Sequence, residues 1–384
     1  MFAIVANADT PTLKTLSLVS RDHKHMAFTY LYRTWALNSK PLMDHRRNRL
    51  NLEKALAFIS SDERLPYVRN LRIHIRGSLG EILLYDNSED PMTQSMIASL
   101  FTLLRSPKLH LKFLEFSVYE HQALFLSHLG VSGEPGRSFV PFLSRFVLDL
   151  GLYVGPVEIP WFWRSHSDIR SLTLHINSPH FSLPSYTLPY LSQISLLHPQ
   201  HSNIARGRPV TTVIQRNITQ DQYATFADNL AASSVPVTRL DAYFSSTSHF
   251  RSPSDADNAY DHDHDHSPNN RNNNIQSQGT AYSIIARLPF LRFLKITQES
   301  MPPTRRSPEH VLPMSSLASL RHLETIEWSG LKGPDEKAQA HFFAACSKYC
   351  PALRRVTFHF WTGRGRTLEK RAPDADWEPA QYEM

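Results

Sequence analysis

Leu288-Pro289-Phe290-Leu291-Arg292-Phe293-Leu294-Lys295-Ile296 reads as a proline, a hydrophobe, and then apolar residues spaced Leu-x-x-Leu-x-Ile. Leu294 and Ile296 alternate with Phe293 and Lys295, the period of a short strand with one buried face. The phrase recurs. Val68-x-x-Leu71-x-Ile73 follows Pro66, Leu111-x-x-Leu114-x-Phe116 follows Pro107, and Leu143-x-x-Phe146-x-Leu148 follows Pro141. Ile169-x-x-Leu172-x-Leu174 has no proline, whereas Leu191-x-x-Ile194-x-Leu196 follows Pro189 and Val237-x-x-Leu240-x-Ala242 follows Pro236. Leu323-x-x-Ile326-x-Trp328 and Leu353-x-x-Val356-x-Phe358 end the series.

Successive middle residues lie from 22 positions apart (Leu172 to Ile194) to 54 apart (Leu240 to Leu294). Leucine-rich repeats have periods of roughly 20–29 residues, a strand and a helix per unit. The pattern is a stretched, degenerate version of that. Each unit offers a strand that cannot bury its face alone, and stacking on neighbours supplies the rest. The expected fold class is α/β: a short N-terminal helical unit followed by an irregular, leucine-rich-repeat-like solenoid of alternating strands and helices. The alternative is an ordinary α/β domain with unrelated buried strands. In a solenoid, Leu71, Leu114, Leu172, Ile194, Leu294, Ile326 and Val356 all point into the core.

The chain has 384 residues, 41% of them hydrophobic and 20% charged, enough for one large or two medium cores. No run of about 18 apolar residues occurs, so no membrane span is expected. The first residues, Met1 to Asp9, lack a basic n-region and a long apolar core, and are not read as a secretory signal. Cys346 and Cys350 are the two cysteines, too few for a disulfide scaffold, which fits the cytoplasm or nucleus. The formal charge is +6. Lys and Arg are dispersed apart from short groups such as Arg46-Arg47-Asn48-Arg49, so no nucleic-acid partner is expected.

Upstream of the array, Asp9-Thr10-Pro11-Thr12-Leu13 reads as a helix start, with Asp9 or Thr10 as cap and Pro11 tolerated in the first turn. Leu13, Leu16, Leu18 and Val19, then Met26, Ala27 and Leu31, fall at helical spacing. Ser20-Arg21-Asp22 breaks the run, with Asp22 a candidate cap for a second helix ending near Tyr32-Arg33-Thr34-Trp35. Asp9-x-x-Thr12-Leu13-x-x-Leu16-Ser17-Leu18-Val19-Ser20-Arg21, followed by Ala27-x-x-x-Leu31-Tyr32-Arg33-Thr34-Trp35, resembles the latter part of a fungal F-box. The resemblance implies a helical module that docks on the Skp adaptor of a cullin-based (SCF-type) ubiquitin ligase. It implies a receptor that recruits a protein target, with catalysis left to partner subunits and no cofactor. By position, Pro11, Leu13, Leu16 and Val19 are the implied adaptor contacts, while Leu31, Tyr32 and Trp35 join the module to the array. F-boxes open with Leu-Pro-x-Glu-Leu or -Ile, and only Ile4-Val5 matches the tail of that segment. The resemblance is therefore to an F-box truncated at its first helix, through a shortened gene model or a relict module. The alternative is a protein-binding scaffold that has lost adaptor binding.

The expected organisation is a helical module over 1–37, a polar linker over 38–49, the array over 50–361, and a polar tail over 362–384. Helices are expected near 92–104, 122–129, 221–231 and 335–347, and a further strand at 210–214. Residues 245–280 are dominated by Ser, Asn, Asp, His and Gln and read as a disordered insert. Within it, Asp261-His262-Asp263-His264-Asp265-His266 has the donors for zinc, nickel or copper. A flexible hexapeptide has no fixed geometry, so it reads as low-complexity loop. Cys346 and Cys350 with His341 are read as apolar helix packing rather than ligands, and Trp161-Phe162-Trp163 as core rather than a ligand platform. No phosphate loop, Gly-x-Ser-x-Gly or His-Glu-x-x-His occurs. A hydrolase with dispersed catalytic residues is a third, unsupported class.

Overall fold

Each recurrence of the proline–leucine phrase carries a strand in the computed structural model. The structure describes residues 9–38, 54, 56–58, 60–61, 63–75, 91–119, 122–130, 140, 142–178, 181–218, 222–245, 284–299, 317–331, 336–360, 365–372 and 375–380. The 245–280 insert beyond Ser245, the 261–266 Asp-His run, Ile4-Val5 and residues 39–49 lie outside them. The fold is α/β, with mostly parallel strands, and divides into two units, Met1–Ser192 and Gln193–Met384.

The first unit opens with two helices. α1 (Thr10–Leu16) starts at Asp9, whose Oδ1 accepts from the Thr12 amide at 2.9 Å. α2 (Arg21–Leu31) is capped by Ser20 rather than Asp22. Ser20 has the extended backbone a cap needs, and Asp22 instead lies in the first turn, where a carboxylate favours the helix dipole. Leu13 and Ala27 form the buried contact between the helices, with Leu16, Met26, Tyr30 and Leu31 around them. The second helix does not run on to Trp35. It stops at Leu31, and Thr34–Asn38 form β1. Trp35 and Leu37 alternate onto one face, and pairing with the next strand outweighs local helix preference.

Four more parallel strands follow in chain order: β2 (Asn70–Ile75), β3 (Phe113–Val118), β4 (Arg145–Asp149) and β5 (Ser171–His175). Two apolar rows cross them in register. One is Trp35, Leu71, Leu114, Phe146 and Leu172; the other is Leu37, Ile73, Phe116, Leu148 and Leu174. Of the intervening helices α3 (Pro91–Leu104), α4 (Gln122–Gly130) and α5 (Pro160–Ser165), α4 and α5 pack on these rows, and Phe101 of α3 meets Phe125 of α4 at 5.4 Å between ring centroids. Phe116 meets Phe125 of α4 at 4.6 Å between ring centroids, and Phe146 meets Phe162 of α5 at 4.6 Å. Each fully buried side chain of this size contributes about 1.5–3 kcal/mol.

Strand starts are locked by a repeated backbone device. The Arg33 carbonyl accepts from the Arg69 and Asn70 amides, and the Arg69 carbonyl from those of Lys112 and Phe113. Lys112 then accepts from Ser144 and Arg145, and Ser144 from Arg170 and Ser171, all within 2.7–3.1 Å. A carbonyl has two lone pairs and takes both donors.

The second unit repeats the scheme. β6 (Gln193–Leu196), β7 (Thr212–Ile218), β8 (Arg239–Ser245), β9 (Phe293–Glu299), β10 (Thr325–Leu331) and β11 (Arg355–Phe360) are parallel neighbours in chain order. Ile194, Val213, Leu240, Leu294, Ile326 and Val356 form one inward row. The seven middle residues named above from both units are each at most 1% exposed. α6 (Tyr223–Ala231) buries Tyr223, Phe226, Ala227 and Leu230. α7 (Glu336–Tyr349) places Phe342 6.2 Å from Trp328 and 5.8 Å from Phe358. Gln215 stands in the second inward row between Leu196 and Ala242, fully buried. The charged tail carries two further strands, β12 (Gly365–Glu369) and β13 (Glu378–Pro379), both antiparallel. They cover the unpaired edge that β11 presents, and Leu368 opposite Val356 is their buried anchor.

Candidate functional site

The α1–α2 hairpin separates the four implied adaptor residues into two pairs. Leu13 is 6% exposed and Leu16 packs partly against it, so these two hold the hairpin together. Pro11 and Val19 face solvent, Val19 at 63% exposure. Leu18 joins them at 86%. Its spacing from Leu13 and Leu16 predicts Leu18 on the apolar helical face. α1 ends at Leu16, however, and the Ser17–Ser20 turn swings Leu18 outward before α2 begins. Tyr32 stacks with Trp35 at 6.4 Å, Trp35 meets Phe58 at 5.5 Å, and the Arg64 guanidinium sits 3.7 Å over the Phe58 ring. This cluster ties the hairpin to β1 and to the segment before β2.

On the first unit's strands, the residues alternating with the apolar rows make a polar face. Arg72, Glu115, Val147 and Thr173 form one line; His74, Ser117, Asp149 and His175 form the next. Glu115 lies 3.4 Å from both Arg72 and His74. Asp149 is the best-held group: Tyr119 donates at 2.9 Å, the Gly151 amide at 3.0 Å, and His175 Nδ1 lies 3.7 Å away. Burial pushes the Asp149 carboxyl up, but the adjacent His175 and the bonds from Gly151 and Tyr119 together bring it below the usual carboxylate value. Gly151 is required there. Its φ is +55°, and a Cβ would come within 2.6 Å of the Tyr119 ring. Ser117, in register with His74 and Asp149, is only 4% exposed, which closes its hydroxyl to a substrate.

The second unit's polar face is less satisfied. Asp241 is 8% exposed, and its Oδ1 has no hydrogen-bond partner. Burial raises its pKa, against the opposing pull of Lys295 and Arg239. Lys295 lies 3.8 Å from Glu327 on the adjacent strand. Near the strand starts is an open groove of about 530 Å³, lined in part by Phe290, Arg292, His322 and Glu324.

Phe162 and Trp163 of the aromatic triplet are buried core. Cys346 and Cys350 are buried free thiols. Burial, with Cys350 nearby, pushes the Cys346 thiol up, and burial pushes Cys350 up to about 12. Both stay protonated, and the Cys350 S–H donates to the Leu317 carbonyl. Among the described residues no group of His, Cys, Asp or Glu is placed to hold a metal, and no helix is long and apolar enough to cross a membrane. No family model matches the chain, and no curated protein matches it.

Proposed function

We propose that this chain is an F-box-like substrate receptor. Its α1–α2 hairpin docks on a Skp-type adaptor, and its strand array, a leucine-rich-repeat-like solenoid, holds a protein target for a cullin ubiquitin ligase. The observation that carries the reading is the hairpin: two capped helices fixed by Leu13 and Ala27, with Leu18 and Val19 exposed on the turn between them and Pro11 exposed in the first turn of α1. Two consecutive exposed apolar side chains on one turn form a small patch that a partner can cover. Strands paired in chain order, with helices packed on their apolar rows, support the array half of the proposal.

The test is co-purification of the Skp adaptor with the full chain and with Val19→Asp and Leu18→Asp variants. Both substitutions lie on exposed positions and leave the fold intact. Capture by the native chain, lost in either variant, supports docking through the turn. A second reading, a scaffold without adaptor binding, draws on the burial of Leu13 and the partial burial of Leu16, which leave two of the four implied contacts outward. No capture by the native chain selects that reading.

A further inference from the structure

We propose that a row of cations at the strand starts of the first unit binds an acidic, extended segment of a protein target. The proposal rests on the reading of the chain as a target-binding array and names the chemistry of what it takes. A basic residue stands at or beside the start of each of the five strands: Arg33, Arg69, Lys112 and Arg170 at the carbonyls of the backbone ladder, and Arg145 one residue after Ser144, which holds the ladder position on β4. Arg69 is turned inward, donating to the Pro66 and Val68 carbonyls at 2.6 and 3.2 Å. Arg33, Lys112, Arg145 and Arg170 are exposed, and among the described residues none is ion-paired. Arg145 makes only a ring contact, 5.1 Å over Phe113. Asp168, two residues before Arg170, borders the row without pairing to it.

Neighbouring parallel strands are about 4.8 Å apart, so the row spans about 19 Å from β1 to β5. Like charges on neighbouring strands repel, and among the described residues no carboxylate pairs with these four cations. The second unit shows that folding does not require this arrangement. The ladder positions there are Thr211, Thr238, Arg292, Glu324 and Arg354, with Arg239 and Arg355 placed as Arg145 is; Arg292 Nε donates to Glu324 at 2.9 Å, Arg355 Nε to Glu369 at 2.6 Å, and Arg239 lies over the Phe293 ring. The charge of the first unit's row is therefore surplus to the backbone device that positions it.

An extended peptide advances about 3.3 Å per residue, so about six residues cover the row, with alternate carboxylates about 6.6 Å apart. Guanidinium groups take carboxylates in bidentate fashion, and three of the four free cations are arginines. Phe142 and Tyr190, 60% and 58% exposed, border the same edge two residues before Ser144 and Ser192 and offer anchors for apolar side chains. A single-stranded nucleic acid wants stacking platforms along its track. Phe142 lies against His110, at 5.5 Å between ring centroids; at 60% exposure it can still receive an apolar side chain, but Tyr190 is left as the open stacking face of the two, so the row favours a peptide.

The experiment is fluorescence anisotropy on the full chain. The probes are a labelled peptide alternating Glu and Ala, a Gln/Ala control of equal length, and an oligo(U) RNA. The native chain binds the acidic peptide, not the control, and binding weakens as salt rises. The triple variant Lys112→Glu, Arg145→Glu, Arg170→Glu loses at least about tenfold in affinity. Arg292→Glu, in the second unit, leaves affinity unchanged, and thermal melts check that both variants fold. Absence of peptide binding by the native chain, indifference to the triple reversal, or tighter binding of oligo(U) than of the peptide overturns the proposal. A chain that captures the adaptor but ignores the peptide loses this inference and keeps the proposed function. A chain that binds the peptide but not the adaptor does the reverse.

Discussion

Asp149 in the first unit and Asp241 in the second both sit on the strand face that alternates with the inward rows, yet they are held in opposite ways. Asp149 receives Tyr119 and the Gly151 amide, with His175 close by, and its pKa falls despite burial. Asp241 is buried with one oxygen unpartnered, and its pKa rises. The strand starts differ in the same sense: one backbone ladder carries free cations in the first unit and an Arg292–Glu324 pair in the second. The backbone and the inward rows fix where polar residues stand. What those residues do with charge is then free to diverge.

The largest effects belong to what the units share. Phe116→Ala in the first unit and Trp328→Ala in the second each cost about 3–5 kcal/mol, read by chemical denaturation. A cost below about 1 kcal/mol at either position breaks the equivalence of the two cores. Next comes Gly151→Ala, which meets the Tyr119 ring at a positive φ. It costs about 1–3 kcal/mol and loosens the hold on Asp149, seen as faster amide exchange at Gly151.

The two aspartates then part with pH. A folded carboxyl below its unfolded value, about 3.9, contributes stability that is present above that value and is lost as pH falls through the folded pKa. Asp149→Asn therefore destabilises at pH 7, by about 1–3 kcal/mol, and flattens the acid limb of a melting-temperature profile. Asp241 has the opposite sign. Its ionised form costs stability at neutral pH, and protonation relieves that cost as pH falls. Asp241→Asn raises the melting temperature at pH 7, with the gain fading toward acid. If both variants move stability the same way at pH 7, the contrast fails. The smallest effect is Glu324→Gln. That pair is exposed, and its loss changes stability by less than about 1 kcal/mol.

Most of the strand order was legible because one face of each strand is buried, and burial writes a two-residue period into the sequence. The helices at Pro91–Leu104, Gln122–Gly130, Tyr223–Ala231 and Glu336–Tyr349 were legible from apolar spacing and breaks. β1 was not, because Thr34–Asn38 follows a helix and takes its strand form from pairing with β2. β12 and β13 were hidden in a polar tail, since a covering edge needs one buried residue, Leu368, rather than a run of them. Gln215 breaks the apolar row it occupies. The Asp149 cluster joins residues from β3 to β5 whose meeting depends on register, which a lone aspartate does not announce. The cation row did leave a trace: Arg69, Lys112 and Arg170 each stand two residues before the middle hydrophobe of their phrase.

The receptor reading is tested most directly by isothermal titration of a purified Skp adaptor into the full chain and into its Val19→Asp variant. Saturable binding by the native chain, abolished in a variant that melts like the native protein, is the result expected if the α1–α2 turn is a docking surface. Absence of heat with the native chain, or equal affinity in the variant, contradicts it.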